Sequence, residues 1–149
     1  MIATSHAIVG AAIASAAPDP IIGLLLAFAS HFVLDLVPHW DEGLGWEKKS
    51  KTRFWAEAIL DVTVGFALAF AIFGRSVDTT YLVAAIIAAQ LPDWAEAPYL
   101  FLGWKFPPFS WVYSVQHHMQ WRMGLPWGAV SQAAVVTFAI VTTSPVKFF

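Results

Sequence analysis

Apolar residues run in long blocks along this chain, and polar residues gather where the blocks end. The blocks are Ala3 to Ala17, Ile21 to Val37, Phe54 to Gly74, Tyr81 to roughly Gly103, and Leu125 to Thr143. Runs of this length without strand-like alternation predict helices, and runs this apolar predict helices that cross a bilayer. The first is short: about 15 residues at roughly 1.5 Å each span about 22 Å, against a hydrocarbon core of about 30 Å. Within it Ala7, Ala11 and Ser15 stand at four-residue spacing, as do Gly10 and Ala14. Small residues so placed let helix backbones approach closely in a membrane bundle. Pro18-Asp19-Pro20 forces a turn after it. A charged loop covers Trp40 to Arg53, a short polar turn Arg75 to Thr80, and a mixed aromatic and polar stretch Trp104 to Gly124. The expected fold is all-α, a polytopic membrane bundle of about five apolar segments. It forms one domain over 1–149, with an interfacial stretch rich in aromatics and histidine.

The polar groups agree on one side of that bundle. With the segments alternating in direction, His6 opens the first and His31, Asp35, His39 and Asp41 close the second. Glu57 and Asp61 open the third, Asp93 and Glu96 close the fourth, and His117 and His118 follow. All fall at the same membrane face. All eight tryptophans map there too, as an interfacial aromatic belt would. Asp19 and Asp78 lie at the opposite face and read as turn residues. The polar face carries Lys48, Lys49, Lys51, Arg53, Lys105 and Arg122, and the other only Arg75 and Lys147. Positive residues favour the inside, so the site and the N-terminus are expected on the cytoplasmic side of an inner membrane.

Composition sharpens this picture. The chain is 58% hydrophobic and only 12% charged, against roughly 25% charged in soluble domains. A formal net charge of −2 offers no basic surplus for nucleic acid. No cysteine is present, so disulfides and thiolate metal sites are excluded. The first basic residue is Lys48, so no positive signal-peptide n-region is expected.

Candidate chemistry concentrates between Ala29 and Asp41. His31, Asp35 and His39 recur every four residues, a spacing that stacks side chains along one helix face, and Pro38 suggests a break nearby. None of the apolar segments holds an interior lysine or arginine to pair with Asp35, Asp61 or Asp93. An ionised carboxylate in the membrane costs on the order of 3 kcal/mol, so these acids need protons, water or a cation. Neutral imidazoles beside them make a divalent ion the economical answer. The candidate ligands are His6, His31, Asp35, His39, Asp61 and Asp93. Zinc is expected first, with manganese or magnesium as alternatives, as one ion or two. Asp93 also reads as a turn residue after Leu91-Pro92, and Glu57 as a surface charge near Arg53. His117 and His118 are neighbours pointing about 100° apart on a helix and are not expected to ligate one ion together; either one of them binds the metal, or they serve two ions or a substrate phosphate.

These residues resemble the bacterial membrane-bound metal-dependent hydrolase family. The matching pieces are Thr4-Ser5-His6, His31-x-x-x-Asp35-x-x-Pro38-His39-x-Asp41, and Leu91-Pro92-Asp93 at the end of a later helix. Where that family often carries His-Arg-Gly-x-Thr-His, this chain has Gln116-His117-His118-Met119. The His-x-x-x-Asp pair is also locally similar to a ligand pair in helical zinc-dependent phospholipases C. The resemblance implies hydrolysis. Together with the site's depth, it leads to the expectation of a phosphoester of an amphiphilic, lipid-like substrate. Glu57 or Asp41 would serve as general base and His117 or His118 would protonate a leaving group. The runner-up is a metal-ion or proton-coupled transporter, or a metal-binding membrane protein without hydrolytic activity.

Overall fold

The helix Ala3–Ala16 (α1) has apolar or small residues on every side, and a helix with no polar face must be covered on every side. Four others cover it: Pro20–Asp35 (α2), Lys51–Phe73 (α3), Thr79–Leu102 (α4) and Trp127–Thr143 (α6). The short helix Phe109–Met119 (α5) lies against α4 and α2. The computed structural model describes residues 1–41, 43–45 and 48–143. Among them the chain is all-helical, with one isolated parallel bridge between His39 and Arg122.

Small residues bring the central helices together. A Cβ on Gly10 would stand 2.7 Å from Ala89 Cβ and 2.9 Å from the Ala85 carbonyl oxygen of α4. One on Gly65 of α3 would stand 2.9 Å from Thr4 Cα. Much of the buried core is alanine, including Ala7, Ala11, Ala85 and Ala89. The exterior is the reverse: Ile21, Leu25, Val33, Ile59, Leu60 and Phe138 are 61–70% exposed. Many large apolar groups thus face outward, while alanine fills much of the interior around a few buried large ones such as Phe73, Leu82 and Ile86.

Helix starts follow local chemistry. Asp19 accepts from the amides of Ile21 and Ile22 at 2.9 and 3.0 Å with Pro20 in the first turn, an N-cap of standard type. Ser50 caps α3 and Asp78 caps α4 in the same way. Gly103, at φ 71°, closes α4 in the left-handed conformation that glycine adopts without strain.

Two expectations are corrected here. Among the described residues one helix, Lys51–Phe73, is long and apolar enough to cross a membrane, instead of about five. The apolar helices α1, α2 and α6 have 14, 16 and 17 residues, hence lengths of about 21–26 Å at 1.5 Å per residue. The 24-residue α4 is long enough, but Gln90, Asp93 and Glu96 interrupt its apolar surface. The expected helical stripe of His31, Asp35 and His39 also stops early. Because α2 ends at Asp35, His39 lies beyond it in extended chain, where its amide donates to Trp121 O at 3.0 Å.

Candidate metal centre

Asp35, at the last turn of α2, is the hub on which three histidines converge. His6 Nε2 of α1 is 3.3 Å from Asp35 Oδ1, and His31 Nε2, one turn earlier on α2, is 3.4 Å from Oδ2. His39 Nε2 is 3.9 Å from Oδ1. Asp93 of α4 brings Oδ1 to 3.6 Å from His31 Nε2, and Asp41 brings Oδ2 to 3.4 Å from His39 Nε2. His6, His31 and His39 are fully buried, Asp35 nearly so, and Asp93 is one-third exposed. Six residues from three helices and a loop thus form one cluster.

Backbone carbonyls decide how the imidazoles present themselves. His31 Nδ1 lies 2.9 Å from Ala89 O and His39 Nδ1 2.7 Å from Val37 O. A carbonyl only accepts, so each Nδ1 carries the hydrogen, and in the neutral ring Nε2 turns its lone pair toward the cluster. Gln116 adds a further acceptor. Its Nε2 donates to Pro92 O at 2.7 Å, which orients Oε1 to 3.3 Å from His31 Nε2. Both His6 nitrogens and His39 Nε2 are buried without a hydrogen-bond partner.

In their neutral forms His31 and His39 therefore turn acceptors toward carboxylates, an arrangement that a proton or a cation relieves. The Met1 α-amino group contacts Asp35 and supplies one positive charge. Arg122 supplies another at Asp41, its Nε donating to Oδ2 at 3.0 Å. Burial opposes ionisation of Asp41, but the neighbouring His39 ring and the Arg122 guanidinium outweigh it and hold its carboxyl below the usual range.

The donor set suits a metal ion. His6, His31 and Asp93 each present one ligand atom, all within 4.8 Å of one another. Ligands about 2.1 Å from a tetrahedral ion stand roughly 3.4 Å apart, against about 2.9 Å for an N–H···O hydrogen bond. The His–Asp separations of 3.3, 3.4 and 3.6 Å fall at the former value. Imidazoles whose Nδ1 is tied to a backbone carbonyl are oriented as metal-binding histidines usually are.

The other sequence candidates lie elsewhere. The Asp61 carboxylate accepts from the amides of Ala3 and Thr4, at 2.5 and 3.1 Å, at the first turn of α1. Glu57 pairs with Lys49 at 2.5 Å and Arg53 at 2.8 Å. His117 stacks on Tyr113, and His118 Nδ1 donates to Ser114 O, both on the exposed side of α5. Asp41 sits at the edge of the cluster, bound to Arg122 and the Leu44 amide.

Sequence reasoning gave no role to Gln116, Arg122 or Gly128. Gln116 is the buried residue of α5, on one face with Phe109 and Val112, a polar position where the helical period calls for an apolar one. Arg122 is held by the parallel bridge, with the Met123 amide donating to His39 O at 2.7 Å. A Cβ on Gly128 would come within 2.6 Å of Trp40 N and 2.9 Å of His39 C, so the start of α6 can lie against the His39 segment only without a side chain there.

No protein-family model, curated protein or solved structure matches this chain.

Proposed function

We propose that this chain is a membrane-embedded, metal-dependent hydrolase, the reaction class that the family resemblance implies, and that it acts at the cytoplasmic interface on a phosphoester of an amphiphilic substrate, as the depth of the site and its flanking tryptophans suggest. The observation that carries the reading is the convergence of three buried imidazoles on Asp35, two of them with Nδ1 tied to a backbone carbonyl so that Nε2 faces the carboxylates. His6, His31 and Asp93 would hold the ion, with Asp35 and His39 completing the cluster around it, zinc being the best match to imidazoles and carboxylate. Such an ion, when bound, lowers the pKa of water to about 7 and polarises a phosphoryl oxygen.

The chain's own residues supply the rest. Asp93 is one-third exposed and lines a cavity of about 410 Å³, so the centre has an open side toward solvent or substrate. Glu96, one turn further along α4, is buried and lines the same cavity, where it can accept a proton from an attacking water. Gln116 and the carbonyls of Ala89 and Val37 hold the histidines in place.

Membrane embedding is supported by the inverted distribution of side chains. Exposed leucine, isoleucine and phenylalanine on α2, α3 and α6 suit lipid, and an alanine and glycine interior suits close helix association. Exposed Trp55, Trp94, Trp104, Trp111, Trp121 and Trp127 all belong to the site end of the bundle, the position of an interfacial belt. In this reading the helices α1, α2, α4 and α6 share the bilayer with α3, and the lysine-rich end faces the cytoplasm.

The test is elemental analysis of detergent-purified protein, wild type beside Asp35→Ala and His39→Ala, followed by a phosphoester screen. One or two equivalents of zinc or manganese in the wild type, lost in both variants, together with hydrolysis that needs the ion, is the expected result. Wild-type protein that takes up no ion even from excess would overturn the reading. Stoichiometric metal without hydrolysis of any phosphoester would leave a metal-binding membrane protein.

A further inference from the structure

Two cavities meet beside the metal centre, and their linings differ. The inner one, about 410 Å³, runs between α3 and α4, with walls of Trp55, Ile59, Val62, Leu100 and Phe101. Its polar end reaches Asp93, Asp41 and Arg122. The outer one, about 650 Å³, is bordered by Lys49, Lys51, His117 and Arg122. Phe54, Phe101 and Arg122 line both, so the cavities adjoin at the Arg122 guanidinium. An apolar trough thus opens onto a basic vestibule, with Asp41 and Asp93 of the cluster at the polar end of the trough.

Arg122 is built into that junction. Its Nε bond to Asp41 and the backbone bridge to His39 fix the stem, and the side chain remains about one-third exposed. A guanidinium presents its remaining N–H donors as a planar fork, the geometry that matches a phosphate. Lys51 is exposed at the outer rim, and Lys49, paired to Glu57, adds a second positive charge there. Glu96 lines both cavities, but Asp41, Asp61 and Asp93 line the inner one alone and would repel an anion there, so a phosphate belongs on the vestibule side of Arg122, beside Lys49 and Lys51.

We propose that the α3–α4 trough binds the hydrocarbon chain of a membrane phospholipid-type amphiphile and that Arg122 binds its phosphate, which selects chain-bearing phosphoesters over soluble ones. The assignment rests on the hydrolase reading for the fate of the phosphate, and on the two linings and their shared arginine for its binding. A cavity of this size matches ligand sites generally, and polar and apolar walls in one site fix the orientation of an amphiphile. Ala58 and Ala97, also in the inner lining, are small where a larger side chain would fill the trough.

The experiment is photolabelling of the whole detergent-purified protein with a non-hydrolysable long-chain alkylphosphonate bearing a diazirine near its chain end, with labelled peptides mapped by mass spectrometry. Labelling is expected on α3 and α4 at Ile59, Val62, Leu100 or Phe101. Ala58→Trp and Ala97→Trp, one on each wall, should each cut it about tenfold, and Arg122→Gln should do the same by loss of a charge-assisted contact. Leu25→Trp on the outer face of α2 should leave it unchanged. Two tryptophan variants on separate helices guard against a folding failure in one, and circular dichroism confirms that each is helical. Label confined to the outer faces of α2 and α6, indifferent to Ala97→Trp and Arg122→Gln, would overturn the proposal. Trough labelling without phosphoester hydrolysis would uphold this site and remove the hydrolase reading. Hydrolysis of short soluble phosphoesters with no trough labelling would do the opposite.

Discussion

Asp35 and Asp61 are two acids set deep in apolar helices, neither with a lysine or arginine nearby in its own segment, and they meet opposite fates. Asp61 faces the start of α1, where amides lack intrahelical partners, and the Ala3 and Thr4 N–H groups satisfy its carboxylate. Asp35 faces three imidazoles, of which two have given their Nδ1–H to backbone carbonyls and so offer no donor in the neutral form. One acid is spent on structure. The other, though it touches the Met1 amino group, stands among acceptors that call for a cation. The difference lies in whether the partner donates or accepts, and neither acid's own residue type reveals it.

Breaking that comparison begins with Asp35. Asp35→Ala should lower metal affinity at least about 100-fold, the upper end of what losing even an outer-shell partner costs. Titration with zinc followed by elemental analysis reads this directly; full metal retention would move Asp35 out of the centre. Gln116→Ala should lower affinity about 10- to 100-fold while the helical content stays the same, since Gln116 acts beside His31. Gly128→Ala should cost about 1–3 kcal/mol, because a Cβ there meets the His39–Trp40 backbone. It should also weaken metal binding through His39, and urea unfolding beside a metal titration would separate the two effects.

The Asp61 side of the comparison predicts a different pattern. Asp61→Ala should cost about 1–2 kcal/mol of stability, the usual penalty for a lost N-cap, and leave metal stoichiometry untouched. Asp61→Asn keeps a capping side chain and should recover most of that stability. Metal loss in Asp61→Asn without destabilisation would erase the distinction drawn here. Smallest of all, Glu57→Gln removes an exposed partner of Lys49 and Arg53, and both metal content and hydrolysis should match the wild type.

The convergence of His6, His31, Asp35, His39 and Asp93 could be anticipated because alternating apolar segments return polar ends to the same side. That argument needs only block length and order. It could not assign partners. His39 reaches the cluster from beyond the end of α2, held by the Arg122 bridge, and not from the helical stripe that its spacing suggested. Span length was likewise overread: apolar blocks flanked by proline and polar residues gave helices of 14 to 17 residues in three cases. His117 and His118 were conspicuous by residue type, yet α5 turns them outward and buries Gln116 instead.

The sequence by itself determined the helical class, the turns at Asp19 and Asp78, the small-residue core and the gathering of acids and histidines at one end. These depend on local propensity and on which groups tolerate an apolar setting, and both are properties of residues in order along the chain. Tertiary structure alone decided which carboxylate found amides and which found imidazoles, which ring nitrogen faced inward, and where Arg122 stood between the two cavities. Those outcomes depend on the direction of single hydrogen-bond donors and on approaches set by Gly10, Gly65 and Gly128, distances that exist only once the helices have packed.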